Sequence, residues 1–244
     1  MRKKKIAAVL LALTLAAVCF GCGRTGYTEV AEEHYATTIA SFSSAVDKLE
    51  NEESGGYKMS LKINYDEWIT DLKAEIWLTE TEEIVKLDTT TSAQGESFTT
   101  KIYILENILY AELPRESAES FGGKTKIKMS MDNSIAEYFT GSVEMIQQAF
   151  QGVLEMISSI KVATVEKLEV AGREGGSRRW RITVTEESID SMFEIKIDKD
   201  NNLIEIKAIT KANDQEYEMT ATRIFVEPTL PDLTAFEDLP SMGA

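Results

Sequence analysis

GGYKMSLKINY, residues 55–65, decides the fold. Two glycines end one kind of pattern and a second kind begins at once. Before them, Tyr35, Ile39, Phe42, Val46 and Leu49 step by four and three, one face of an amphipathic helix. After them, Tyr57, Met59, Leu61, Ile63 and Tyr65 alternate with Lys58, Ser60, Lys62 and Asn64. That period of two predicts a strand with one buried and one wet face.

The alternation continues outward. Trp68, Leu72, Ala74, Ile76 and Leu78 read as a second strand and Ile84–Thr91 as a third. Ser92–Gly95 reads as a turn, Phe98–Leu105 and Ile108–Leu113 as a hairpin turning at Glu106-Asn107, and Lys124–Met131 as a sixth strand. Asp132-Asn133-Ser134 offer caps to a second helix. Ile135, Tyr138/Phe139, Ser142, Ile146, Ala149/Phe150, Val153, Ile157 and Ile160 carry it over about seven turns. About five strands follow, from Val162 to Phe225. They are punctuated by Arg173–Ser177, Asp198–Asn202 and Asn213-Asp214, and a proline-fixed tail runs from Pro228. The connections are too short for crossover helices, so the strands pair antiparallel. The expected class is α+β: one large antiparallel sheet with helices on one face.

The first 26 residues, MRKKKIAAVLLALTLAAVCFGCGRTG, stand apart. Four cations precede an apolar run of about 15 residues. That is shorter than the roughly 20 a spanning helix needs and suits a secretory segment. The segment resembles a bacterial lipoprotein signal peptide, with Gly21-Cys22 at the cleavage junction and Cys19 three before it, where Leu is usual. The resemblance implies a signal peptide over 1–21, acylation of Cys22 (palmitate-type chains), a short tether over 22–29 and a single domain over 30–240. It implies an extracytoplasmic protein of the cell envelope, anchored to the membrane by its N-terminal acyl chains.

Removal of 1–21 takes four of the 26 basic residues, leaving 22 against 41 acidic ones, a net charge of −19. Nucleic acid needs a basic footprint and is disfavoured. Both cysteines lie at 19 and 22, so the domain has no Cys nucleophile, thiol redox pair or Cys-zinc set.

No catalytic constellation emerges. His34, the single histidine, has no G-x-S-x-G elbow to serve and reads as a half-exposed helix residue. Asp198-Lys199-Asp200-Asn201-Asn202 has the oxygens of a calcium loop. It places Leu203 where an EF-hand needs Gly and reads as a hairpin turn. The acidic clusters at 50–53, 80–83 and 186–190 read as solvated faces, and the glycines of 172–176 as a turn. No cofactor or metal is expected, and no enzymatic activity. Lys124, Lys126 and Lys128, and Arg178, Arg179 and Arg181, could face an anionic head group if both sets lined one rim of a cavity; otherwise they are the polar sides of half-buried strands.

The whole pattern resembles the LolA/LppX-type lipoprotein carriers. The resemblance rests on the helix ending in YKMSLKI, the internal helix between two meanders, the hairpin FEIKIDKDNNLIEIKAI (193–209) and the strand before LPDLTAFEDL (230–239). It covers about residues 28–240. It implies an open half-barrel of curved antiparallel sheet with helices on its concave face, and a cavity between them for a lipid or other apolar ligand. Leu61, Ile63, Ile76, Ile102, Ile104, Met145, Phe150, Val153 and Ile195 are the expected lining. The other expectation is a solid core with the same fold, acting through its surface on envelope proteins.

Overall fold

The computed structural model describes residues 26–239 apart from 53, 66–67, 80, 173–175, 187–188 and 213–214. The signal segment, Cys22 and the turn residues Arg173–Gly175 and Asn213-Asp214 lie outside the described residues. The elements are β1 (Thr28–Glu29), α1 (Tyr35–Glu50), β2 (Gly55–Tyr65), β3 (Trp68–Leu78), β4 (Glu83–Ala93), β5 (Glu96–Leu105), β6 (Ile108–Glu112), α2 (Arg115–Ala118), β7 (Lys126–Ser130), α3 (Ala136–Ser159), β8 (Val165–Val170), β9 (Arg178–Glu186), β10 (Ile189–Ile197), β11 (Leu203–Ala212), β12 (Gln215–Ile224) and β13 (Glu237–Asp238).

All thirteen strands form one sheet in the order β1-β8-β9-β10-β11-β12-β2-β3-β4-β5-β6-β7-β13. The two meanders, β2–β7 and β8–β12, are the six and five strands expected. Their first and last members, β2 and β12, pair with each other and make the seam of the sheet, with Met59 opposite Ala221 and Leu61 opposite Met219. The sheet is not closed, since its ends are β1 and β13. It is mixed rather than wholly antiparallel, because β13 runs parallel to β7. A flat sheet of this size would be about 58 Å wide at the ~4.8 Å strand spacing. Sheets beyond about ten strands rarely stay flat, so the architecture is consistent with a curved sheet.

One face carries the alternating apolar residues and meets α1 and α3. Phe42 of α1 packs edge-on against Trp180 of β9 with ring centroids 5.5 Å apart. Phe150 of α3 meets Tyr57 of β2 at 5.1 Å. Residues of both meanders and of α1 and α3 share one buried cluster, which includes Phe42, Ile146, Ile157, Leu87, Phe193 and Ile206. Several strand positions depart from expectation. Trp68 and Leu78, at the ends of β3, and Phe98, near the start of β5, are exposed, and Phe225, expected in the last strand, lies just past the end of β12 and is exposed too. Asn133 does not cap α3 as a helix N-cap. Ile135 holds that position without a side-chain cap, and the Asn133 carboxamide oxygen accepts from the Ile135 amide at 3.0 Å.

The opposite face is a lattice of cross-strand charge pairs. Glu75 lies between Lys58 (3.1 Å) and Lys86 (3.7 Å), and Glu112 between Lys101 (3.5 Å) and Lys126 (3.4 Å). The C-terminal segment adds apolar cover there. Phe236 lies edge-on to Tyr103 and Tyr110, with centroids at 6.1 and 5.5 Å. Tyr103 is thereby buried although strand parity puts it on the wet face. That burial, helped by the Glu112 and Asp88 charges, pushes its phenol up to about 12.

Candidate functional site

The site begins with the helical spacing of α3. Met145, Gln148, Ala149, Gly152, Val153 and Met156 recur at three and four, so they share one stripe. Opposite them stand two rows of the sheet. Leu61, Met219 and Ala208 are directly paired across β2, β12 and β11, and Ile63, Tyr217 and Thr210 form the next row. Helix stripe and strand rows enclose a cleft of about 430 Å³. That lies within the 300–1,000 Å³ range of small-molecule sites.

The cleft exists because side chains are small where the layers meet. Ala149, Gly152 and Ala208 leave a gap that a larger residue would close, and a Cβ built at Gly152 meets nothing within 4 Å. Met145 and Met156 flank the opening and are 43% and 37% exposed. With Met219 they give an adaptable, polarisable wall. The polar lining is Gln148, Thr210 and Tyr217, and the Tyr217 hydroxyl donates to Gln215 Oε1 at 2.6 Å. No Asp, Glu, Lys, Arg or His lines the cleft.

The expected lining residues divide. Leu61, Ile63, Met145 and Val153 line the cleft. Ile76, Ile102, Ile104 and Ile195 are buried deeper in the packed core, and Phe150 packs on Tyr57. The structure thus opens its cleft to one side of the position expected around Ile76, Ile102, Phe150 and Ile195. Ala149, Gly152, Met156, Ala208, Thr210, Tyr217 and Met219 were missed. Their signal was small residues and methionines facing the β2–β12 seam, and that seam joins residues more than 150 apart in sequence.

A second hollow of about 360 Å³ lies on the same face at the tips of β3–β5, lined by Trp68, Thr91, Ala93, Gln94, Glu96 and Phe98. Thr70, Thr91 and Phe98 continue the row of Ile63 across β3, β4 and β5. The second hollow therefore shares its level with the outer, Ile63 row of the cleft.

The basic patches line neither hollow. Lys124 pairs with Glu237 at 3.1 Å, and Lys128 with Asp238 at 3.6 Å. Arg179 pairs with Glu205 at 2.8 Å, and Arg181 pairs with Glu194. Arg179, Arg181, Lys126 and Lys128 alternate with the buried Trp180, Ile182, Ile127 and Met129, so they occupy the outer face.

Asp198–Asn202 is a hairpin turn docked on α1. Asp198 Oδ1 accepts from the Asp200 and Asn202 amides at 2.8 Å each. Lys48 donates to the Asp200 carbonyl at 3.0 Å. Partial burial raises the Asp198 carboxyl, and the hydrogen bonds from Asn202 and Asp200, with Lys48 nearby, outweigh it and hold the group below the usual value. His34 sits at the start of α1, its side chain 3.6 Å from Glu33 and half exposed. Among the described residues, no three His, Cys, Asp or Glu are grouped to hold a metal, and no helix is long and apolar enough to cross a membrane.

The fold and site together define an α+β domain whose open mixed sheet and long helix leave an uncharged apolar cleft at the seam. No family model and no curated protein sequence matches the chain. The crystal structure of LprF from Mycobacterium bovis is similar at 10% identity and a TM-score of 0.49, over 84% of this chain and 99% of that one.

Proposed function

We propose that this chain is an extracytoplasmic lipoprotein, anchored through Cys22, that binds a lipid or other apolar ligand without chemical change. The observation that carries this is the cleft between α3 and the β2–β12–β11 rows, lined by Leu61, Ile63, Met145, Ala149, Val153 and Met219. A structure with a filled interior would close such a gap, since cores pack to crystal-like density with few voids larger than a water. Capture works by burial, at about 0.8 kcal/mol per CH₂ removed from water. The N-terminal segment supports the anchor: a cationic start, a short apolar run and Gly21-Cys22. Curvature of the sheet around the helices, with α1 and α3 on its concave side, belongs to the same proposal.

Native mass spectrometry of the domain from residue 23 onward, expressed without the signal, tests the binding. A co-purified apolar ligand, lost when Gly152 is replaced by Leu, supports it. A ligand-free protein that also takes up none from mixed lipid vesicles refutes it. The second reading is an envelope protein acting through its surface with no ligand. It is favoured by the deep packing of Ile76, Ile102 and Ile195, three of the residues expected to line a cavity.

A further inference from the structure

Strand register fixes which end of the domain the chain enters. Thr28 pairs with Val170, and Val170 with Trp180. From there the row runs through Ile195, Ile206 and Ala221 to Met59. The chain arrives at this row from Gly26 and runs on towards the Leu61 and Ile63 rows, where the cleft lies. The cleft therefore begins one row beyond the entry row, at mid-strand, and extends towards the opposite end of the sheet. Tyr27 is held at the entry end, its ring 4.0 Å from the Arg181 guanidinium.

That same end carries an apolar rim. Leu78 pairs with Gly55, and Ile224 with Gly56, so Phe225 follows at the level of Leu78. Leu78, Phe225 and Val226 are 48%, 70% and 76% exposed. Trp77 and Ile224 close over Gly56 one residue further in. Two consecutive large apolar residues, both exposed beyond two thirds, are unusual on a soluble surface and fit the interface of a bilayer, where short apolar side chains insert and an aromatic sits at head-group level.

We infer that the rim of Leu78, Phe225 and Val226 rests in the surface of the anchoring bilayer, so that the cleft opens away from it. This rests on the lipoprotein reading. Five residues from Cys22 to Tyr27 reach at most about 18 Å when extended, which brings the entry end, with its rim, to the membrane. The tether alone would let the domain lie on its side; the rim selects the upright pose. A cleft that extends from mid-strand away from the rim then exchanges ligand with a partner or surface beyond the anchoring leaflet rather than with that leaflet.

The test uses the full lipidated chain in phosphatidylcholine–phosphatidylglycerol vesicles. Acylation occupies the thiol of Cys22, and no other Cys follows it. A single Val226→Cys or Phe98→Cys therefore takes a thiol-reactive fluorophore at one position. Expected is a blue shift and loss of emission from position 226 when the vesicles contain spin-labelled lipid, with position 98 unchanged. Quenching at 98 instead, or at neither site in protein that floats with the vesicles, overturns the orientation alone. So does a label at 226 shielded from both spin-labelled lipid and aqueous iodide, which marks a contact with a second copy of this chain. Protein that does not float with vesicles overturns the anchor and the orientation with it.

Discussion

Gly152 offers the sharpest prediction about the cleft. It lies within α3 (Ala136–Ser159), where glycine is less favourable than alanine by about 0.8–1.0 kcal/mol. A Cβ there meets nothing within 4 Å, so no clash offsets the gain. Gly152→Ala should therefore raise unfolding stability by about 1 kcal/mol, or about 2–4 °C in Tm for a domain of this size. Gly141 is equally free of neighbours and lies about 16 Å along the helix. Gly141→Ala should give a similar gain that adds to the first. Gly152→Leu keeps most of the propensity gain and sends its side chain into the cleft. It should melt no lower than the parent and lose binding of a fluorescent acyl probe at least about tenfold, roughly 1.4 kcal/mol. Denaturant melts read the stability and probe titration reads the binding. A lower Tm for Gly152→Ala would mean that the space is filled. A stable Gly152→Leu that binds the probe as well as the parent would mean that the ligand sits elsewhere.

Other perturbations test the frame. Gly56→Ala should destabilise by about 1–3 kcal/mol, because its Cβ would stand 2.5 Å from the Trp77 ring and 2.8 Å from the Ile76 carbonyl oxygen; chemical denaturation checks it. Arg223 forks onto both oxygens of Glu52 at 3.0 and 2.6 Å with little exposure of either. Arg223→Ala should lose about 2 kcal/mol, read as a shift in denaturation midpoint. Asp198 has a folded pKa held below the unfolded value. Its contribution is present above about pH 3.9 and is lost as pH falls through the folded value; Asp198→Asn should flatten that acid limb in a pH series of melts. Cys22→Ser should move the protein from the membrane to the soluble fraction, and continued membrane retention would count against acylation there.

Much of the fold was legible because period two and period 3.6 report burial directly. GGYKMSLKINY marked the switch between them, and the two meanders and two long helices follow from it. Pairing partners were not legible. Alternation tells which face of β2 is buried but not that β12 lies beside it, and that seam forms the floor of the cleft. The tail showed prolines and a lone Phe236, with nothing to say that it would cover Tyr103 on the wet face and run parallel to β7. At the site, Leu61, Ile63, Met145 and Val153 stood out as apolar positions. Ala149, Gly152 and Ala208 matter by what they leave empty, and an absence of side chain has no periodicity to read.

Photo-crosslinking tests the central claim most directly. A diazirine-bearing acyl chain, irradiated with the purified protein, should mark peptides containing Met145, Met156 and Met219, and unlabelled lipid should compete the marks away. Marks spread over Phe225, Trp68 and the outer face, or none that compete, would contradict an apolar ligand site between α3 and the sheet.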